Sequence, residues 1–168
     1  SGAIASLLSL GTMVFTPLFG LFVDKRGKSA TLMIAGSAII VVVYSLFAFT
    51  YFSPYVLMIL LGIAFSLVPA AMWPSVAKIV EEKWIGTAYG TMFSIQNLGL
   101  WAFPLLIGII LDRTNPGITP EALKEGTASY DYTYALVMLI FLGLAGVIFA
   151  ILLKREDRVS GYGLEEPS

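Results

Sequence analysis

Gln96 and Asn97 stand side by side in a stretch, residues 84–111, that holds no charged side chain. Each carboxamide offers two donors and an acceptor, chemistry suited to holding another polar group rather than to breaking a bond. Such groups are costly against hydrocarbon, so they must face other helices or water. Tyr89, Phe93, Gln96, Asn97 and Leu100 follow at steps of 4, 3, 1 and 3, which places them along one helical face. Two readings stay open for that face. Either it hydrogen-bonds a solute in a central cavity, or it joins helices, a link typically worth about 0.6 kcal/mol in a membrane.

A second polar and aromatic set lies in residues 54–77. Pro69 and Pro74 each remove a donor from a helix and predict a kink, either an ordinary one or a hinge with free carbonyls at depth. Trp73 carries an indole N–H that needs a partner below the interface, and a cavity wall supplies one. Phe65 and Ser66, two helical turns earlier, extend that wall. Gly86-x-x-x-Gly90, with the small residues Gly62, Ala64 and Ser66, predicts close helix packing. Charge gathers where apolar stretches end. Gly20-x-x-x-Asp24-Lys25-x-Gly27-Lys28 closes the first, and a fainter copy, Gly108, Asp112 and Arg113, returns with Asp112 88 residues after Asp24. In such a run the first glycine permits close packing, the aspartate can meet a neighbouring helix N-terminus, and the second glycine permits a tight turn.

The elements that must position these residues follow from composition. Hydrophobic residues make up 58 % and charged ones 12 %, against about 25 % charged in soluble domains, so the chain belongs in a bilayer. Four stretches, 3–23, 30–52, 54–77 and 132–153, exceed the roughly 18 apolar residues that cross about 30 Å of hydrocarbon. A fifth, 84–111, reaches roughly 42 Å as helix and crosses with tilt. The first is too long for a signal-peptide core and has no basic flank before it. Residues 1–154 thus form a membrane domain, and 155–168 a polar cytoplasmic tail expected to be disordered. The loop over residues 112–131 is the only long one, broken at Asn115-Pro116-Gly117 and Thr119-Pro120, with one helical turn predicted over Glu121–Lys124.

With no Cys and no His, thiol chemistry, disulfides and the commonest metal ligand are excluded, and no cluster of acids inside a span replaces them. No cofactor, no metal, no catalytic residue and no enzyme activity are expected. A net charge of −1 with basic residues only in loops and tail also excludes a nucleic-acid surface. Lys25, Arg26, Lys28, Lys78, Lys83, Lys154, Arg155 and Arg158 share one side, leaving Arg113 and Lys124 on the other, which puts the C-terminus in the cytoplasm. Asp24 then faces inward and Asp112 outward, so the motif copies sit on opposite membrane faces and the three-helix units between them alternate in orientation. The chain opens with Ser1-Gly2 at a membrane edge and is expected to be a piece of a longer protein.

The run from Gly20 to Lys28 resembles the signature loop of the major facilitator superfamily, which lies between the second and third helices of each six-helix half. Gly108 to Arg113 resembles the mark that closes the fifth helix of a half. The resemblance implies an all-α membrane protein whose five spans are the eighth to twelfth helices of a twelve-helix fold with inverted three-helix repeats. The N-terminal half would lie outside this sequence and be its partner. Gly20, Asp24, Lys25, Gly27 and Lys28 would form a conformational latch. Met72-Trp73-Pro74-Ser75-Val76-Ala77 and the run from Gly86 through Gln96 and Asn97 to Leu100 are more specific. They are similar to the branch that contains the lysosomal dipeptide uniporter and its bacterial relatives.

That branch implies alternating-access transport of small peptides, with Phe65, Ser66, Trp73, Tyr89, Phe93, Gln96 and Asn97 as substrate-binding residues. It implies a multi-pass protein in contact with the lipid bilayer, in a bacterial inner membrane rather than a lysosomal one. No Asp, Glu, Lys or Arg lies inside a span, so this half offers no proton relay. The alternatives are a proton-coupled carrier of another small solute, with its relay upstream, and a non-transporting membrane scaffold of the same fold.

Overall fold

The computed structural model describes residues 2–119, 122–123 and 125–167, with side chains from Ser9 onward. Five long helices carry it: α1 (Gly2–Arg26), α2 (Ser29–Phe49), α3 (Pro54–Ile79), α4 (Ile85–Thr114) and α5 (Thr133–Ser160), with one 3-10 turn, Glu82–Trp84, leading into α4. The all-α class read from the sequence holds. Four of the five, α2 to α5, are long and apolar enough to cross a membrane. α1 runs for 25 residues. Of the helical turn expected over Glu121–Lys124, residues 121 and 124 lie outside the described residues, and with them the outer charge of Lys124.

Local chemistry explains the boundaries. Thr50 turns extended after α2, and Pro54 occupies the first turn of α3, where its missing N–H costs nothing. α3 runs as one helix through Pro69 and Pro74, as the single span 54–77 predicted. The Phe65 and Ala70 carbonyls lose their i+4 donors there, a loss that membrane helices tolerate when neighbours or cavities surround them.

α3 is the hub of the packing, lying against α1 and α2, while α2 also lies along α5. Small residues set these approaches. A Cβ added to Gly11 would sit 3.3 Å from the Gly62 Cα, one on Gly36 would meet Val68, Leu67 and Ala64, and one on Gly143 would lie 2.8 Å from Val41 Cγ2. Backbones this close gain dispersion contacts, which drive helix association where lipid competes equally for apolar surface. Val23, Met33, Ala71 and Ala150 knit four helices together near the end of α1, and Val43, Leu57 and Leu61 close the α2–α3 hairpin.

α4 differs. It buries none of its residues and meets α3 and α5 only sparsely. Gly86 and Gly90 have no described atom within 4 Å of an added Cβ, so the close packing expected of Gly86-x-x-x-Gly90 is not made against these helices; Gly62, Ala64 and Ser66 are the small residues that pack. Asn115, at the far end of α4, ties the long loop shut: its Nδ2 donates to the Leu111 and Asp131 carbonyls and its Oδ1 accepts from the Asp131 N–H at 2.7 Å. Asp131 in turn accepts from the Thr133 N–H at 2.9 Å, and this bonding holds its carboxyl below the usual range.

The tail is folded where disorder was expected. α5 continues past residue 153 to Ser160, then Gly161 (φ 69) ends it, and residues 161–167 fold back over the ends of α1, α2 and α3 with Leu164 fully buried. The extension of α5 has a local reason: Lys154, Arg155 and Glu156 are good helix formers, and the stop is the glycine rather than the charge.

Candidate functional site

The groove between α3 and α4 gathers most of the predicted site. Tyr89 and Phe93, one turn apart on α4, lay their rings against Trp73 of α3, with centroids 5.4 and 4.9 Å away and planes tilted 41° and 37°. The Tyr89 hydroxyl donates to the Trp73 carbonyl at 2.9 Å. Of these three rings Trp73 forms the floor of the groove, and Tyr89 and Phe93 brace it. Above it lies a cavity of about 330 Å³ lined by Pro69, Met72, Trp73, Met92, Ile95 and Gln96. It adjoins a second, of about 510 Å³, which Ile95 and Gln96 share with Phe65, Gly99, Leu100, Phe103, Pro104 and Ile107.

Gln96 is therefore the polar group common to both cavities, and none of the residues lining them is charged. Phe65 lines the upper cavity. Ser66, by contrast, is fully buried and donates to the Gly62 carbonyl of its own helix at 2.8 Å, so it does not extend the wall. Asn97 is absent from both linings and donates to the Phe93 carbonyl at 2.8 Å. Successive helical residues point about 100° apart, and here the groove takes Ile95 and Gln96 while Asn97 points past it. The sequence reading passed over Met72, Met92, Ile95, Gly99, Phe103, Pro104 and Ile107. Continuing the helical step from Gln96 to Gly99, Phe103 and Ile107 would have found three of them. The groove can hold a small solute with an apolar wall, an aromatic floor and one carboxamide for a polar group.

The latch residues lie at the end of the bundle where α1 meets α2. Only Gly27 and Lys28 separate the helices, and both are left-handed, at φ 67 and φ 63. Asp24 and Lys25 are exposed, and Gly20 has no described atom within 4 Å of an added Cβ. Asp24 was expected to meet a helix N-terminus; that of α2 is occupied by the tail. Lys28 precedes the helix but its ammonium only donates, so it cannot cap. The Leu164 carbonyl accepts from the Ser29 N–H at 2.9 Å, and the Glu165 carboxylate accepts from the Thr31 N–H at 2.9 Å and from the Thr31 hydroxyl at 2.6 Å.

Lys154 donates to that hydroxyl and pairs with Glu165 at 3.4 Å. Lys78, from α3, donates to the Gly163 and Glu166 carbonyls at 3.0 and 2.8 Å, and buried Asp157 accepts from the Leu164 N–H at 3.0 Å. Partial burial raises the Glu165 carboxyl, but the Thr31 bonds and the Lys154 charge outweigh it and hold it below the usual range. The second motif copy, Gly108, Asp112 and Arg113, lies at the opposite end, with the two charges exposed on the last turns of α4.

Comparison with known proteins points the same way as this geometry. The profile described as Major Facilitator Superfamily matches residues 1–168. The lysosomal dipeptide transporter MFSD1 of Mus musculus is 46 % identical over 112 residues, 67 % of this chain and 24 % of that protein. Its Homo sapiens counterpart is 43 % identical over the same shares, and that of Gallus gallus 41 % identical over 141 residues, 84 % of this chain and 31 % of that protein. The chain thus spans about a quarter to under a third of the length of the relatives it matches.

Proposed function

The chain belongs to the major facilitator superfamily, and from that premise we propose that it forms the C-terminal half of an alternating-access carrier of small peptides. The observation that carries this reading is the α3–α4 groove: uncharged, aromatic at its floor, with Gln96 at its centre. A peptide backbone offers N–H and C=O groups to one carboxamide and side chains to an apolar wall. Substrate binding is accordingly assigned to Phe65, Trp73 and Gln96, with Tyr89 and Phe93 holding the Trp73 ring in place. The MFSD1 relatives, named as dipeptide transporters, support the substrate class. Asn97 serves its own backbone, and Ser66 packs.

The exposed faces of α1 and α4, with open space at Gly20, Gly86, Gly90 and Gly108, fit a covering N-terminal half. In this reading the spans are the eighth to twelfth helices, and the Lys/Arg bias sets the C-terminus in the cytoplasm. That bias acts alike in the bacterial inner membrane expected from the sequence and in the lysosomal membrane of the relatives' name. The Trp73–Tyr89–Phe93 stack then stands near the cytoplasmic end of the groove, closing it on that side.

Uptake of a radiolabelled dipeptide into proteoliposomes holding the full-length carrier tests the proposal. Saturable uptake indifferent to an imposed pH gradient is expected. Accumulation driven by the gradient would instead require a relay in the other half, and absence of uptake would overturn the substrate class. Gln96→Leu is expected to raise KM roughly 2- to 12-fold, the loss of one hydrogen bond, with the folded yield unchanged.

A further inference from the structure

Residues Gly161–Glu166 connect three separate elements to a two-residue loop. Leu164 and Glu165 cap α2, Lys78 of α3 grips two strap carbonyls, and Lys154 and Asp157 of α5 hold it from behind. The strap also fills the space beside the loop. A Cβ on Gly27 would lie 2.3 Å from the Glu166 carbonyl carbon, so the strap backbone occupies the place where any other residue would put its side chain. Gly27 and Lys28 are all that join α1 to α2, so a change in the angle between those helices must turn these two residues. Turning them changes the position of Gly27 against the Glu166 backbone packed on it, and so disturbs the docked strap.

We propose that Gly161–Glu166 is a releasable clamp: docked, it fixes the α1–α2 loop and completes α2; released, it frees that loop to move in the transport cycle. The cycle part of this inference rests on the carrier reading above; the docking part does not. Release is built into the segment. Gly161 and Gly163, at φ 69 and φ 74, are hinges at its start. One apolar side chain, Leu164, is fully buried; the bonds to Asp157 and Ser29 are buried with it, and the Lys78, Lys154 and Thr31 contacts are part-buried or exposed, each a single polar contact set against the cost of ordering the segment. The Lys154–Glu165 pair keeps 25 % and 29 % of its side-chain exposure, which leaves it open to solvent screening.

The test uses Ser29→Cys, in the full-length carrier made otherwise cysteine-free, reconstituted with its inner face accessible. Ser29 is 1 % exposed and its N–H is bonded to the strap's Leu164 carbonyl, so maleimide labelling reads opening of this end. Slow labelling is expected, with a rise of roughly tenfold for Glu165→Ala, the loss of a helix cap, and a similar rise for Lys78→Ala. Glu165→Gln, which keeps an acceptor for the Thr31 N–H but loses the Lys154 charge, is expected between the two and serves if the alanine variant does not fold. A saturating dipeptide is expected to change the wild-type rate.

Fast labelling in the wild type would show that the strap does not cover the loop. Slow labelling unmoved by the strap variants and by the dipeptide would show a static cap, and either result overturns the proposal. A dipeptide effect absent while the variants still accelerate labelling would overturn the link to the cycle. Uptake measured on the same vesicles separates that result from failure of the dipeptide reading.

Discussion

At the scale of single residues, Gly27 and Glu165 make the sharpest claims. Gly27→Ala puts a side chain on a left-handed backbone, at about 1 kcal/mol, and into the Glu166 backbone at 2.3 Å. It is expected to destabilise the inner face by about 2–4 kcal/mol, read as a lower Tm in detergent. Glu165 carries the pH dependence. Its lowered carboxyl pKa means that the docked strap favours the charged form, so the stabilisation is fully present above the ordinary glutamate range and is lost as pH falls through the lowered value. Protection of the Thr31 amide in hydrogen exchange, corrected for intrinsic rate, is expected to be flat near neutrality and to fall only in acid below that range. Tyr89→Phe removes the bond to the Trp73 carbonyl and is expected to cost about 0.5–1.5 kcal/mol in thermal unfolding, leaving the ring stack in place. Gln96 was legible because a carboxamide in an uncharged stretch must have a purpose. Its separation from Asn97 was not, since helical phase relative to α3 is set by tertiary packing. The Thr31–Glu165 pairing spans 134 residues, and no local pattern announces it.

At the scale of helices, the glycines divide into two kinds that look alike in sequence. Gly11, Gly36, Gly143 and Gly146 meet neighbouring atoms, while Gly20, Gly86, Gly90 and Gly108 face open space within the described residues. Gly143→Leu is expected to force α2 and α5 apart and cost about 1–3 kcal/mol. Gly90→Leu is expected to leave the Tm of the five-helix chain unchanged but to lower that of the full-length carrier, if the other half covers α4 as proposed. Helix existence was legible from long apolar runs. The extension of α5 to Ser160 was hidden because a charged run reads as an exit from the membrane, though not as an exit from helix. The continuity of α3 through Pro69 and Pro74 was legible, because membrane helices tolerate prolines whose freed carbonyls find other partners.

At the scale of the whole molecule, four helices form a packed row centred on α3, and α4 is joined to it near an aromatic stack at one end and sparsely elsewhere. The charge asymmetry gives a test of orientation: a cysteine at Lys28 is expected to react with impermeant maleimide only from the cytoplasmic side, and one at Gly117 only from the opposite side. The fold class was legible because eight of ten basic residues and five apolar runs agree with one threading. The folded tail was not, because its partners come from the second, third and last helices. That dispersion has a consequence for synthesis. The first turn of α2 emerges early, yet the residues that cap it are made 134 positions later. At about 5–20 residues per second, α2 waits roughly 7–27 s for its own N-terminal cap. Through that interval the donors at Ser29 and Thr31 depend on water or on lipid headgroups, and a nascent chain stalled before Leu164 presents an unfinished inner face to quality control.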